Sequence, residues 1–147
     1  MRRFIYIFFT VFSALICQSS NHIPDLVVIV NAENTTGVLS PSEVKLIYLR
    51  KITKRWSGIK KNIIPVDRKG SPETRRIFLN KILGMTEDDL DRYYAEREYQ
   101  NAEMPPVEVA TDAEVIEFVG SNIGAIGYVS SSSINPQSKA AIKIVYP

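Results

Sequence analysis

Short apolar runs alternate with amphipathic stretches along this chain. Leu26 to Val30 (LVVIV) is an unbroken β-branched run, the pattern of a short strand covered on both faces. Ser40-Pro41-Ser42-Glu43 then spells a helix start, with a capping Ser, Pro at the first helical position and Glu three residues after the cap. The helix carries Val44, Ile47 and Tyr48 on one face and should end near Lys51. Ile63 to Val66 reads as a short strand near an edge because Pro65 lacks an amide proton. Gly70-Ser71-Pro72 opens a second helix, with Ser71 as the cap, i, i+4 apolar pairs at Phe78/Ile82 and Leu79/Leu83, and Gly84 at its end. Thr86 caps a third helix whose first turn is acidic. Pro105-Pro106 marks a loop, and Val107 to Val109 an extended piece. Thr111-Asp112-Ala113-Glu114 is a second capping box, opening a helix to about Val119. Ala125 to Val129 and Ala141 to Tyr146 read as strands. Strands interleaved with helices predict an α/β layer fold with a mostly parallel sheet and helices on both of its faces.

The first residues follow another rule. Met1-Arg2-Arg3 is a positive start, Phe4 to Cys17 is uncharged and apolar, and a polar, small-residue run follows. That is the layout of a secretory signal peptide, and the apolar run is short of the roughly 20 residues that span a bilayer. The expectation is a signal over residues 1–20, cleaved after Ser19 or Ser20, and one domain over 21–147; the alternative is an uncleaved anchor. The chain would then be carried across the inner membrane to a periplasmic or extracellular location, with no membrane contact after cleavage. Cleavage removes Cys17, the only cysteine, and with it any thiol chemistry.

Composition excludes several classes. At 147 residues, 45% hydrophobic and 23% charged, the chain is neither disordered nor fibrous. A net charge of +2 excludes a globally basic nucleic-acid binder. One Cys and one His leave little room for a zinc site, and no cofactor or metal is expected. His22 beside the cleavage region is a poor base, no catalytic constellation is apparent, and no enzymatic activity is expected. The charge is unevenly spread. Residues 45–81 carry a net +10 and residues 82–120 a net −9, so the two stretches either steer partners or face each other.

One segment stands out, Arg68-Lys69-Gly70-Ser71-Pro72-Glu73-Thr74-Arg75-Arg76. A strand running into a Gly-Ser turn at a helix start exposes free amides and a positive dipole end. Arg68 would add a planar two-pronged donor, and Ser71 and Thr74 hydroxyls. Gly70 and Arg75 complete the candidate set; a plainly capped helix is the alternative reading.

Four segments, VVIVNAEN, LSPSEVKLIYLRKITKRWSG, IIPVDRKGSPETRRIFLNKILGM and GSNIGAIGYV, resemble the phosphate-binding (substrate-binding) proteins of ABC transporters. In that family an arginine is followed three residues later by a Gly-Ser-Gly-Thr phosphate turn, and a Phe lies four residues beyond it. Arg68, Thr74 and Phe78 match in an ungapped reading, while Pro72 and Glu73 stand where the family has Ser and Gly. Pro72 removes an amide donor and Glu73 adds a negative charge. The resemblance implies the type-2 periplasmic binding protein fold, here in a short single-lobe form: a three-layer sandwich. It implies a non-catalytic solute-binding-like protein that takes phosphate or another oxyanion at Arg68, Gly70, Ser71, Thr74 and Arg75. One lobe offers only an open half-site, so a protein partner or a homodimer would be needed to close it. The alternative is a ligand-free envelope interaction module with the same fold.

Overall fold

The computed structural model describes residues 25–51, 55–70, 72–101 and 103–146. The expected signal segment, Cys17, His22 and Ser71 lie outside the described residues. Five strands form one sheet: β1 (Leu26–Asn31), β2 (Ile64–Arg68), β3 (Val107–Val109), β4 (Ala125–Ser130) and β5 (Ile142–Tyr146), in the spatial order β3-β2-β4-β1-β5. The helices are α1 (Pro41–Tyr48), α2 (Glu73–Phe78), which runs on as a π-helical turn over Leu79–Leu83, α3 (Glu87–Asn101) and α4 (Asp112–Ser121).

Strand direction amends the expected sheet. β2 is parallel to β3 and β4, whereas β1 is antiparallel to both β4 and β5. Four strands therefore point one way, and only β1 is reversed. Because it lies between β4 and β5, two of the four ladders are antiparallel and the sheet is mixed rather than mostly parallel. The carboxyl ends of β2, β3, β4 and β5 share one rim with the amino end of β1, where Leu26 faces Ser130. β2 also lies inside the sheet, not at its edge. Its Pro65 is tolerated because the Ile64 amide donates to Gly124 on the β4 side at 3.0 Å, turning the next amide position towards β3. The β3 ladder begins only at Val66.

The side-chain alternation of the strands builds two cores. Val28, Val30, Ile126 and Tyr128 point to one face and pack with Val44, Ile47 and Tyr48 of α1, Phe78 of α2, Leu83 of the π turn and Leu90 of α3. Val27, Ile29, Val66 and Val129 point to the other and pack with Val115 and Val119 of α4. This is the three-layer sandwich, with β1 and β4 buried throughout. Phe78 and Tyr128 stack with ring centroids 3.9 Å apart, and Tyr48 meets Phe78 edge-on at 4.6 Å. Gly127 lies under α4: a Cβ there would fall 2.5 Å from Val115 Cγ1.

Both capping boxes form. The Glu43 amide donates to Ser40 Oγ at 3.2 Å, and the Glu114 amide to Thr111 Oγ1 at 3.2 Å. The second helix starts one residue later than expected. Pro72 takes the cap position in an extended conformation, with no side-chain cap bond, and helix begins at Glu73. The π turn ends at Gly84, whose φ of 62° is the left-handed conformation that glycine supplies most easily. Trp56 is buried, and its Nε1 donates to Gly124 O at 2.9 Å, tying the 55–62 segment to the start of β4.

Candidate functional site

All the candidate residues that are described gather at the rim formed by the carboxyl ends of β2, β3 and β4. In open α/β sheets ligands bind outside the carboxyl ends of the strands. β2 delivers Asp67 and Arg68 to this rim, and Gly70 turns the chain with a φ of 73°. Open space surrounds the position of a Gly70 side chain, so bare backbone faces outward there.

The rim divides the candidate set between two faces. Consecutive strand residues point to opposite sides of a sheet, so Asp67 and Arg68 diverge. Asp67 turns to the α2 side. There it accepts from Tyr128 Oη, from the Arg68 amide at 2.8 Å, and from Arg75, whose Nη2 lies 3.3 Å from Oδ2. Arg75 also pairs with Glu87 at the start of α3, and its Nη1 reaches Gly70 O at 3.4 Å. Burial lowers the affinity of Arg75 for its proton, but the Asp67 carboxylate, with Tyr128 and Glu87 adding to it, outweighs this and holds it above the ordinary arginine value. Burial, reinforced by the Asp67 charge, pushes the Tyr128 hydroxyl far up, so it stays a proton donor to Asp67. Thr74, one residue before Arg75, is buried on this side.

Arg68 turns instead to the α4 side. Its guanidinium pairs with Asp112, the first residue of α4, and Nη2 donates to Ala110 O at 2.9 Å. The side chains of Arg68 and Asp112 are 10% and 14% exposed. Asp112 Oδ2 also accepts from the Ser130 amide at 3.0 Å and from Ser133 Oγ at 2.7 Å. Arg68 Nε is buried and has no hydrogen-bond partner among the described residues.

Arg68 and Arg75, expected in one site, therefore serve two clusters on opposite faces, each neutralised by acids of the chain itself. The opposed charge stretches meet here: Arg75 with Glu87 and Arg68 with Asp112 join residues 45–81 to residues 82–120. The sequence reading missed Asp67 and Asp112. A signal existed for Asp67, since a charged residue inside a buried strand needs a partner. Asp112 read only as a first-turn acid of α4, and nothing near it in sequence announces Arg68.

The clefts among the described residues lie apart from Arg68, Gly70, Thr74 and Arg75, and two of them bear on the rims of the sheet. One of about 280 Å³ opens on the same rim beside Asp25, Lys81, Ser131 and Tyr146. The other, of about 450 Å³, lies between Thr35–Leu39, the start of α1 and Arg55–Gly58. The Asn34-Thr35-Thr36 sequon is no exposed acceptor, since Asn34 is 1% exposed and its Oδ1 accepts from the Thr36 amide at 2.9 Å. Among the described residues no group of His, Cys, Asp and Glu is arranged to hold a metal ion, and no helix is long and apolar enough to cross a membrane.

No family model matches the sequence, and no curated protein sequence is significantly similar to it. Solved structures share its fold. An ABC-type phosphate transport receptor from Vibrio cholerae superposes with a TM-score of 0.62 at 22% identity, over 84% of this chain and 46% of the receptor. A phosphate ABC transporter substrate-binding protein from Clostridium perfringens, whose structure holds phosphate, gives 0.63 at 22% identity, over 83% of this chain and 44% of that one. PstS from Borrelia burgdorferi gives 0.60 at 17% identity, over 84% and 47%. The chain thus has the fold of part of a phosphate-transport substrate-binding protein and spans less than half the length of these structures.

Proposed function

We propose that the chain is an extracytoplasmic, non-catalytic binding protein of the phosphate-receptor type, exported by the segment over residues 1–20, with residues 21–147 as its binding domain. Its binding edge is the rim at the carboxyl ends of β2, β3 and β4, and its ligand class is phosphate or a similar oxyanion. Arg68, Gly70, Thr74 and Arg75 border that edge, and Ser71 joins them as a proposed ligand residue from its place in the sequence. The observation that carries this reading is the buried Arg68 guanidinium at the rim, converging with a backbone amide and a hydroxyl on one carboxylate. Such a donor set suits an oxyanion. A single lobe leaves one side of a bound anion in water, which weakens charged hydrogen bonds, so a second chain closing over the rim would raise affinity. Calorimetry with phosphate and sulfate tests the reading. Heat that disappears in Arg68→Ala supports it; no heat at millimolar ligand, from this chain or from Asp112→Asn, refutes it.

A second reading, a ligand-free interaction module, is favoured by one observation: both arginines already hold acids of the chain. In that case crosslinking in cells recovers a stable partner or a dimer, and calorimetry stays silent. Recovery of monomer alone would count against it.

A further inference from the structure

Asp112 lies where several donors of the rim converge. Its carboxylate collects the Arg68 guanidinium from the end of β2, and the Ser130 amide and Ser133 hydroxyl from the end of β4 and the turn after it, at the positive end of α4. A phosphate oxygen asks for the same donors: a guanidinium fork, a main-chain amide and a hydroxyl.

The carboxylate is not needed to cap the helix. Thr111 accepts from the Glu114 amide at 3.2 Å, and Glu114 Oε2 returns to the Ala110 and Thr111 amides at 2.6 and 3.3 Å. Asp112 therefore has no capping duty at the start of α4. Nor does it saturate Arg68, whose buried Nε keeps an unused proton. Two unused acceptor positions on a larger, tetrahedral anion could serve that proton and the guanidinium edge together, which one carboxylate does not.

We infer that Asp112 is a tethered occupant of an oxyanion receptor built from Arg68, the Ser130 amide and Ser133, and that a phosphate-class oxyanion binds there in its place. This rests on the reading of the rim as the binding edge and adds what limits it. A tethered carboxylate competes at high effective concentration, so the chain as it stands binds free phosphate weakly. Removing the carboxylate frees a preformed site that holds a buried, unpaired arginine.

The test titrates phosphate into the purified chain, Asp112→Ala, Asp112→Asn and the double variant Arg68→Ala/Asp112→Ala, following heat and melting temperature. The uncharged Asp112→Asn preserves the side-chain shape and stands in where Asp112→Ala fails to fold. Both single variants should bind phosphate at least about tenfold more tightly than the parent chain, the size of one charge-assisted hydrogen bond. Their lowered melting temperatures should recover with phosphate, and the double variant should lose the response. Equal affinity in parent and variants, lost on Arg68→Ala, overturns the inference and leaves the binding edge standing. No binding by any folded variant makes Asp112–Arg68 a structural ion pair only, and overturns both. Tighter binding that survives in the double variant places the anion elsewhere and also overturns the inference.

Discussion

Asp67 is the most informative residue to remove from the fold. It is 5% exposed and faces Arg75, also buried, with an Nη2–Oδ2 distance of 3.3 Å. Tyr128 Oη and the Arg68 amide complete its shell. In Asp67→Ala the Arg75 guanidinium keeps Glu87, which is 40% exposed, but loses its buried counter-charge. The Tyr128 hydroxyl loses its acceptor inside the core. Breaking a buried pair from one side costs about 3–5 kcal/mol. The surviving Glu87 contact places this case at the low end, roughly 3 kcal/mol. For a domain of this size that is about 10 °C in melting temperature. Tyr128→Phe removes the bond to Asp67 and the longer one from the Arg68 amide at 3.3 Å, which keeps Asp67 as an acceptor, and it leaves the stack on Phe78, so its cost is about 1 kcal/mol. The double variant should cost less than the sum, because both single changes break the same bond. Urea unfolding followed by circular dichroism and by the single tryptophan, Trp56, measures all three. A cost below about 1 kcal/mol for Asp67→Ala would refute the reasoning, since it would mean that Arg75 needs no buried counter-charge.

Alkaline pH offers a second check. Burial raises the hydroxyls of Tyr48, Tyr94 and Tyr128, with the Asp67 charge adding to each. Their folded-state values lie above the unfolded ones, so the stability they contribute is complete below about pH 10 and falls as pH rises beyond it. Tyrosinate absorbance should show these three ionising only as the far-ultraviolet signal is lost; ionisation within the intact fold would contradict their burial. Gly84→Ala forces a side chain into the left-handed region and should cost about 1 kcal/mol in chemical unfolding. Gly127→Ala drives a methyl against Val115 and should cost about 1–3 kcal/mol, whereas Gly37→Ala, with open space around it, should stay within about 0.5 kcal/mol.

Much of the fold is legible in local signals. Ser40–Glu43 and Thr111–Glu114 announce their helices because a capping box is satisfied by residues three apart. LVVIV and AIGYV announce buried strands because both faces of each are covered. The reversal of β1 has no such signal, since an apolar run carries no direction and the neighbours of β1 are about 100 residues away. The site was half legible. Arg68 and Gly70 stand at the rim as the turn predicts. Arg68 and Arg75 look like one cluster in sequence, but strand alternation sends Asp67 and Arg68 to opposite faces, and Arg75 follows Asp67. Asp112 lies 44 positions from Arg68, beyond any local pattern.

The binding edge itself is tested most directly by mapping backbone amide resonances during a phosphate titration, which registers weak as well as tight binding. The account predicts shifts concentrated at Gly70, Thr74, Asp112, Ser130 and Ser133, with the side-chain signals of Arg68 moving alongside. Shifts confined to the opposite rim, around Thr35, Trp56 and Gly58, or none at all, would contradict it.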